Sequence, residues 1–170
     1  MVDHTHDTVI AVNVGLSDES RLGVVELLSK TLADQHVLYM KLRNYHWNVT
    51  GPQFMTLHEL FEKQYEQIKT SIDETAEFIR TYGEPAPGTM QEMLDMARLS
   101  ETPGDTPDAH TMVANLVADH EAIITQIRAD IDTIDDDYDD DASEDYYTQM
   151  LQDHLDMAWM LRTFIQGNAV

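Results

Sequence analysis

The sequence predicts an all-α protein, a bundle of four long helices with one long connection between the second and the third. Apolar residues return at helical spacing along almost the whole chain, and no stretch alternates with period two long enough to make a strand. Two segments rich in Gly and Pro flank a short helical stretch in mid-chain. At 170 residues the chain is most simply one domain with a substantial core. The expected division is a flexible N-terminal tail over 1–17 and a bundle domain over 18–170.

The first helix is predicted from about Asp18 to Asn48, with an apolar stripe at Val25, Leu28, Leu32, Tyr39 and Leu42. It stops at Thr50-Gly51-Pro52, a strong terminator. The second begins near Gln53, carries Leu57, Phe61, Tyr65, Ile68, Ile72 and Ile79, and ends at Gly83. So short a connection makes the two an antiparallel hairpin. After the loop Glu84–Gly88, Thr89 and Glu92 have capping-box spacing and open a short helix through about Leu99. The third long helix starts near Asp108 with Val113, Leu116, Ile124, Ile127, Ile131 and Ile134, and the fourth runs from about Ser143 to Gln166 with Tyr147, Leu151, Ala158, Leu161 and Ile165. The crossover is long enough to carry the chain to the other end of the bundle, which matches a ferritin-like arrangement better than a simple up-down one.

Composition narrows the chemistry. There is no cysteine, so disulfides, thiolate metal sites and cysteine nucleophiles are excluded, and a transition metal must be held by imidazole and carboxylate. The formal charge of −22 repels phosphate backbones and attracts cations; a solvated surface or adaptation to high salt accounts for the same number. No run approaches the roughly 18 apolar residues of a membrane span, and the start of the chain lacks the features of a secretory signal, so a soluble cytoplasmic protein is expected.

No histidine has a glutamate three positions before it, so the Glu-x-x-His pairs of an ordinary intra-bundle di-iron site are missing, and there is no His-Glu-x-x-His motif. The remaining candidates lie in the first hairpin: His46 before the turn, His58 and Glu62 after it, then Asp73 and Glu77. His46 and His58 flank Pro52 by six residues each, hence lie at one level. At about 100° per residue from His58, Glu62, Asp73 and Glu77 fall at roughly 40°, 60° and 100°, one polar edge of the helix. His58 to Asp73 is nevertheless about 22 Å along the axis, so one chain cannot close a site from all five. Two second helices antiparallel about a two-fold axis near residue 67 would bring His58 and Glu62 opposite the partner's Asp73 and the partner's Glu77. Mixed nitrogen and oxygen ligation suits Fe(II) better than Mg or Ca and leaves zinc open. The plainer account of Glu62, Asp73 and Glu77 is the solvated side of an amphipathic helix.

The stretch NYHWNVTGPQFMTLHELFE followed by SIDETAEFIRTYG resembles the Dps family of mini-ferritins, as do LVADHEAII and LQDHLDMAWMLRTF in the third and fourth helices. The resemblance implies a hollow cage of twelve subunits built from two-fold dimers. It also implies a ferroxidase centre at the dimer interface, compatible with two irons, with His46, His58 and Glu62 from one subunit and the partner's Asp73 and the partner's Glu77 from the other. The implied activity is oxidation of Fe(II) to Fe(III), preferably by hydrogen peroxide, and storage of the ferric mineral against oxidative damage. A DNA-protecting structural assembly and a non-oxidising metal buffer are the alternatives. The family's acid four residues after the second histidine is commonly Asp, and here it is the longer Glu62. DNA binding in the family generally uses a basic tail; here no Lys or Arg precedes Arg21, so no direct DNA binding is expected.

Lesser candidates complete the reading. Trp47 beside His46 has either an electron-donor role or a packing role. Asp3-His4-Thr5-His6-Asp7 is a surface metal site or simply tail. His120 and His154 fall on apolar stripes and read as hydrogen-bonded core residues outside the site. The Asp-rich run from Asp130 to Asp145 reads either as the lining of a cation pore or as an exposed acidic loop, and Glu59 and Glu66 as cavity-facing mineral nucleation sites.

Overall fold

The structure, a computed structural model, describes residues 12–166; the His4 and His6 candidate lies outside them. The helices are α1 (Asp18–Asn48), α2 (Phe54–Thr81), α3 (Met90–Met96), α4 (Ala109–Thr133) and α5 (Asp141–Gln166), with a π-helical turn over Ile134–Tyr138 between the last two. The described residues contain no strand and no helix long and apolar enough to cross a membrane.

Local chemistry sets the helix ends. Ser17 accepts from the Ser20 amide and Asp108 from the Thr111 amide, each satisfying a donor that the first turn leaves free. Thr89 and Glu92 form the expected reciprocal capping box, and α3 closes at Met96, three residues earlier than the sequence suggests. Between α1 and α2 the chain reverses through Gly51 at φ 106°, a backbone conformation that a side chain strongly disfavours.

Side-chain contacts give the helix directions. Lys41 to Asp119 (2.5 Å) and Asn115 to the Tyr45 hydroxyl (2.9 Å) run α1 antiparallel to α4. Thr75 to Tyr146 (2.7 Å) and Gln64 to the Met157 carbonyl (3.1 Å) run α2 antiparallel to α5. With α1 and α2 an antiparallel hairpin, α2 and α4 are parallel although consecutive long helices. The crossover through residues 82–108 must therefore span the length of the bundle, as its length suggests. The core is built from Val24, Leu28, Leu32 and Leu42 of α1, Leu57, Phe61 and Ile68 of α2, and their counterparts on α4 and α5.

Arg98 clamps the crossover onto the bundle. It donates to Asp34 (2.7 Å), Asp130 (3.0 Å) and Thr31 (3.1 Å), while Asp34 also accepts from the Arg98 and Leu99 amides. This corrects the reading of the acidic run. Asp130 is buried against Arg98 and cannot line a pore, and most of the run is helical instead of a loop. Burial pushes the Asp130 carboxyl upward while the guanidinium opposes the shift. Tyr138 of the π-helical turn packs onto α1 at Gly23, where a Cβ would collide with its ring; Asp140 accepts from the Tyr82 hydroxyl.

Candidate metal centre

The α1–α2 hairpin brings its two histidines together. His46 and His58 rings stack at 3.7 Å between centroids and 20° between planes. The His46 Nδ1 lies 2.8 Å from the His58 carbonyl, and the His58 Nδ1 lies 2.8 Å from the His46 carbonyl. A carbonyl oxygen can only accept, so each Nδ1 carries a proton and donates it. In the neutral ring this leaves the lone pair on Nε2, the tautomer a metal ion needs. Fixing the rings on opposite backbones also removes rotamer freedom that ligation would otherwise have to remove. His46 is buried and His58 is half-buried.

Glu62 lies one turn beyond His58 on the continuous helix α2 and is exposed. Its carboxylate accepts from the Tyr65 hydroxyl at 3.2 Å. Burial first, and then that hydrogen bond, push the Tyr65 phenol above its ordinary value, so it stays a donor. The Tyr65 ring stands edge-on to His46 at 5.3 Å and to Tyr39 at 6.0 Å. The Arg43 guanidinium lies over the rings of Trp47 (4.8 Å), Tyr39 (5.5 Å) and Tyr65 (5.6 Å) and donates to the Tyr39 hydroxyl at 2.8 Å. Trp47 itself is 57% exposed. The sequence reading missed Tyr65 and Arg43. Their signal was spacing, since Tyr65 follows Glu62 by three residues and Arg43 precedes His46 by three.

Asp73 and Glu77 are exposed on the same helix and form no ion pair among the described residues. They lie fifteen residues from Glu62's neighbour set, His58 to Asp73 and Glu62 to Glu77, or about 22 Å along the axis at 1.5 Å per residue. Within one chain, then, His46 and His58 meet, Glu62 lies one helical turn beyond His58, and Asp73 and Glu77 lie farther along α2. Among the described residues of the single chain, no three His, Asp or Glu side chains are grouped closely enough to hold an ion. Glu59 and Glu66 are exposed elsewhere around α2, Glu66 paired with Lys69 at 2.9 Å.

His120 and His154 form a second, buried pair, with Nδ1 atoms 2.9 Å apart and both Nε2 atoms without a partner. Burial drives both basicities down, His154 to about 4. As the sequence reading expects, they are hydrogen-bonded core residues.

A family model for the ferritin-like domain matches residues 25–168. A low-temperature-induced, uncharacterised protein from Nostoc sp. is 45% identical over 159 residues, covering 94% of this chain and 89% of that one. The "DNA protection during starvation protein 2" of Bacillus anthracis is 38% identical over 143 residues, covering 84% of this chain and 96% of that one. The crystal structure of a Dps protein from Vibrio cholerae O1 is titled a member of a broad superfamily of ferritin-like diiron-carboxylate proteins. It matches with a TM-score of 0.84 and 27% identity over 92% of this chain and 98% of that one.

Proposed function

The chain belongs to the Dps family of ferritin-like proteins, and from that premise we propose that it is an iron-storing ferroxidase whose centres form between two subunits of a dodecameric cage. The observation that carries this reading is the His46–His58 pair, whose rings are locked with both Nε2 lone pairs free. His58 pairs by symmetry with Glu77 and Glu62 with Asp73, because the midpoint of each pair falls between residues 67 and 68. A two-fold axis at that point of α2 places the partner's Asp73 and the partner's Glu77 across from the imidazoles, completing a nitrogen and oxygen ligand set.

Iron is the substrate. Two Fe(II) ions held side by side lose one electron each, and hydrogen peroxide takes both electrons with two protons and leaves as two waters. The paired transfer avoids the hydroxyl radical that a single electron would release. His46 and His58 supply neutral donors, Glu62 and the partner's carboxylates balance the growing positive charge, and the −22 charge of each subunit concentrates cations around the shell. Ferric product collects in the cage. Protection of DNA follows from removing iron and peroxide, without contact, since a subunit charge of −22 repels a phosphate backbone.

The test is anaerobic loading with about two Fe(II) per centre followed by peroxide, with the particle mass measured by light scattering. Rapid ferric absorbance from a twelve-subunit particle is expected. A monomer, or a particle that binds Fe(II) and leaves it unoxidised, overturns the reading in favour of a metal buffer. In a gel shift at moderate salt without free divalent metal, duplex DNA should not be retarded.

A further inference from the structure

Metal ligation leaves one group at the candidate centre unused. Tyr65 is a single hydrogen bond from the Glu62 carboxylate (3.2 Å) and a single ring contact from His46 (5.3 Å between centroids). A phenol loses an electron readily only when its proton leaves with it, because the phenol radical cation is a strong acid. Glu62 is a proton acceptor already in place. The Arg43 guanidinium over the Tyr65 ring sharpens this requirement. A fixed positive charge penalises a ring that stays cationic and leaves a neutral phenoxyl radical untouched. Trp47 also lies under Arg43, but it is 57% exposed and makes no hydrogen bond to a carboxylate among the described residues. The geometry favours the tyrosine over the tryptophan.

We propose that Tyr65 is a catalytic residue that supplies the second electron when peroxide meets a centre holding only one Fe(II). The proposal rests on the ferroxidase reading above. In the step, Fe(II) gives one electron and becomes Fe(III), and Tyr65 gives one electron while its phenolic proton passes to Glu62. The peroxide O–O bond breaks, and the two electrons, the proton from Tyr65 and one proton from solvent convert both oxygens to water. The neutral Tyr65 phenoxyl that remains then takes one electron from the next Fe(II) to bind and one proton back from solvent through Glu62, which restores the phenol and yields a second Fe(III). Two irons are oxidised per peroxide, as in the fully loaded centre, and no hydroxyl radical escapes.

The experiment uses the assembled full-length protein, loaded anaerobically with one Fe(II) per subunit, mixed with hydrogen peroxide and freeze-quenched for electron paramagnetic resonance, with spin trapping in parallel. The expected result is a tyrosyl signal whose hyperfine pattern changes when the protein carries ring-deuterated tyrosine. The signal should be lost in Tyr65→Phe and kept in Tyr39→Phe and Trp47→Phe, and Tyr65→Phe should release several-fold more trapped hydroxyl radical per peroxide consumed. A signal that persists in Tyr65→Phe, or ferric iron formed in the wild type with no tyrosyl signal, overturns the proposal alone. Absence of ferric product even at two Fe(II) per subunit overturns the ferroxidase reading, and this proposal with it.

Discussion

His46 and His58 join α1 to α2 beside the interhelical turn, while His120 and His154 join α4 to α5 in the bundle interior. In the first pair each Nδ1 donates to a backbone carbonyl, so both rings are held in place with Nε2 lone pairs available. In the second pair the Nδ1 atoms bond to each other, one donating and one accepting, and neither Nε2 finds a partner. The lesson is that hydrogen bonding at one ring nitrogen decides what the other can do. An imidazole anchored on the main chain through Nδ1 has its Nε2 free to serve as a ligand. The same imidazole anchored on its twin, with no hydrogen bond to a carboxylate, is a polar core residue whose charged form is disfavoured by burial.

The contrast can be broken most forcefully at the first pair. His58→Ala combined with Asp73→Ala should slow iron oxidation at least roughly 10–100-fold, since even outer-shell losses cost that much. Particle mass should stay unchanged in light scattering, because neither side chain is part of the core. Unchanged oxidation would sink the site assignment.

At the second pair the effect should fall on stability. His120→Ala leaves a cavity and orphans the His154 ring, which should cost about 2–4 kcal/mol in denaturant unfolding. The oxidation rate of the assembled variant should match the wild type. A rate loss without a stability loss would show that the buried pair belongs to the chemistry after all.

Acidification probes the same pair without mutation. His154 titrates at about 4 in the fold against 6.5 when unfolded, and His120 is also held low. The unfolded chain therefore binds more protons between those values, so stability is complete above pH 6.5 and falls as pH drops toward 4. The loss from His154 alone approaches roughly 3 kcal/mol at the lower end. His120→Leu with His154→Leu should flatten that part of the pH–stability curve, and an unaltered slope would show that other groups dominate acid unfolding.

The smallest expected effect sharpens how the first pair is built. Gly51→Ala forces a side chain into the turn at φ 106° and should cost about 1–2 kcal/mol. Because that turn sets the level of His58 against His46, oxidation should fall in step with stability. Full activity in a destabilised variant would separate the ring geometry from the turn.

Much of the fold was legible from residues that act locally. Thr89 with Glu92 and Asp108 mark helix starts through bonds within three residues, and Gly51-Pro52 marks the reversal. The level match of His46 and His58 was legible for the same reason, since two equal arms about one turn must meet. Asp130 was not legible. In the sequence it is one aspartate of an acidic run, and only the path of the crossover brings Arg98 across from it. Tyr65 escaped notice because its apolar face belongs to the core stripe while its hydroxyl reaches Glu62, and hydropathy counts only the first.

By itself the sequence determined the number and order of the α-helices and the approximate position of most of their ends, the absence of thiolate chemistry, and the restriction of candidate ligands to imidazole and carboxylate. These follow from periodicity, capping and side-chain chemistry, all of which act over a few residues. Tertiary structure decided which nitrogen of each histidine is free, which aspartate is buried against Arg98, and which tyrosine touches Glu62. Those outcomes depend on groups 12 to 32 residues apart in three of the four contacts, and a hydrogen bond is sensitive to tenths of an ångström that only packing sets.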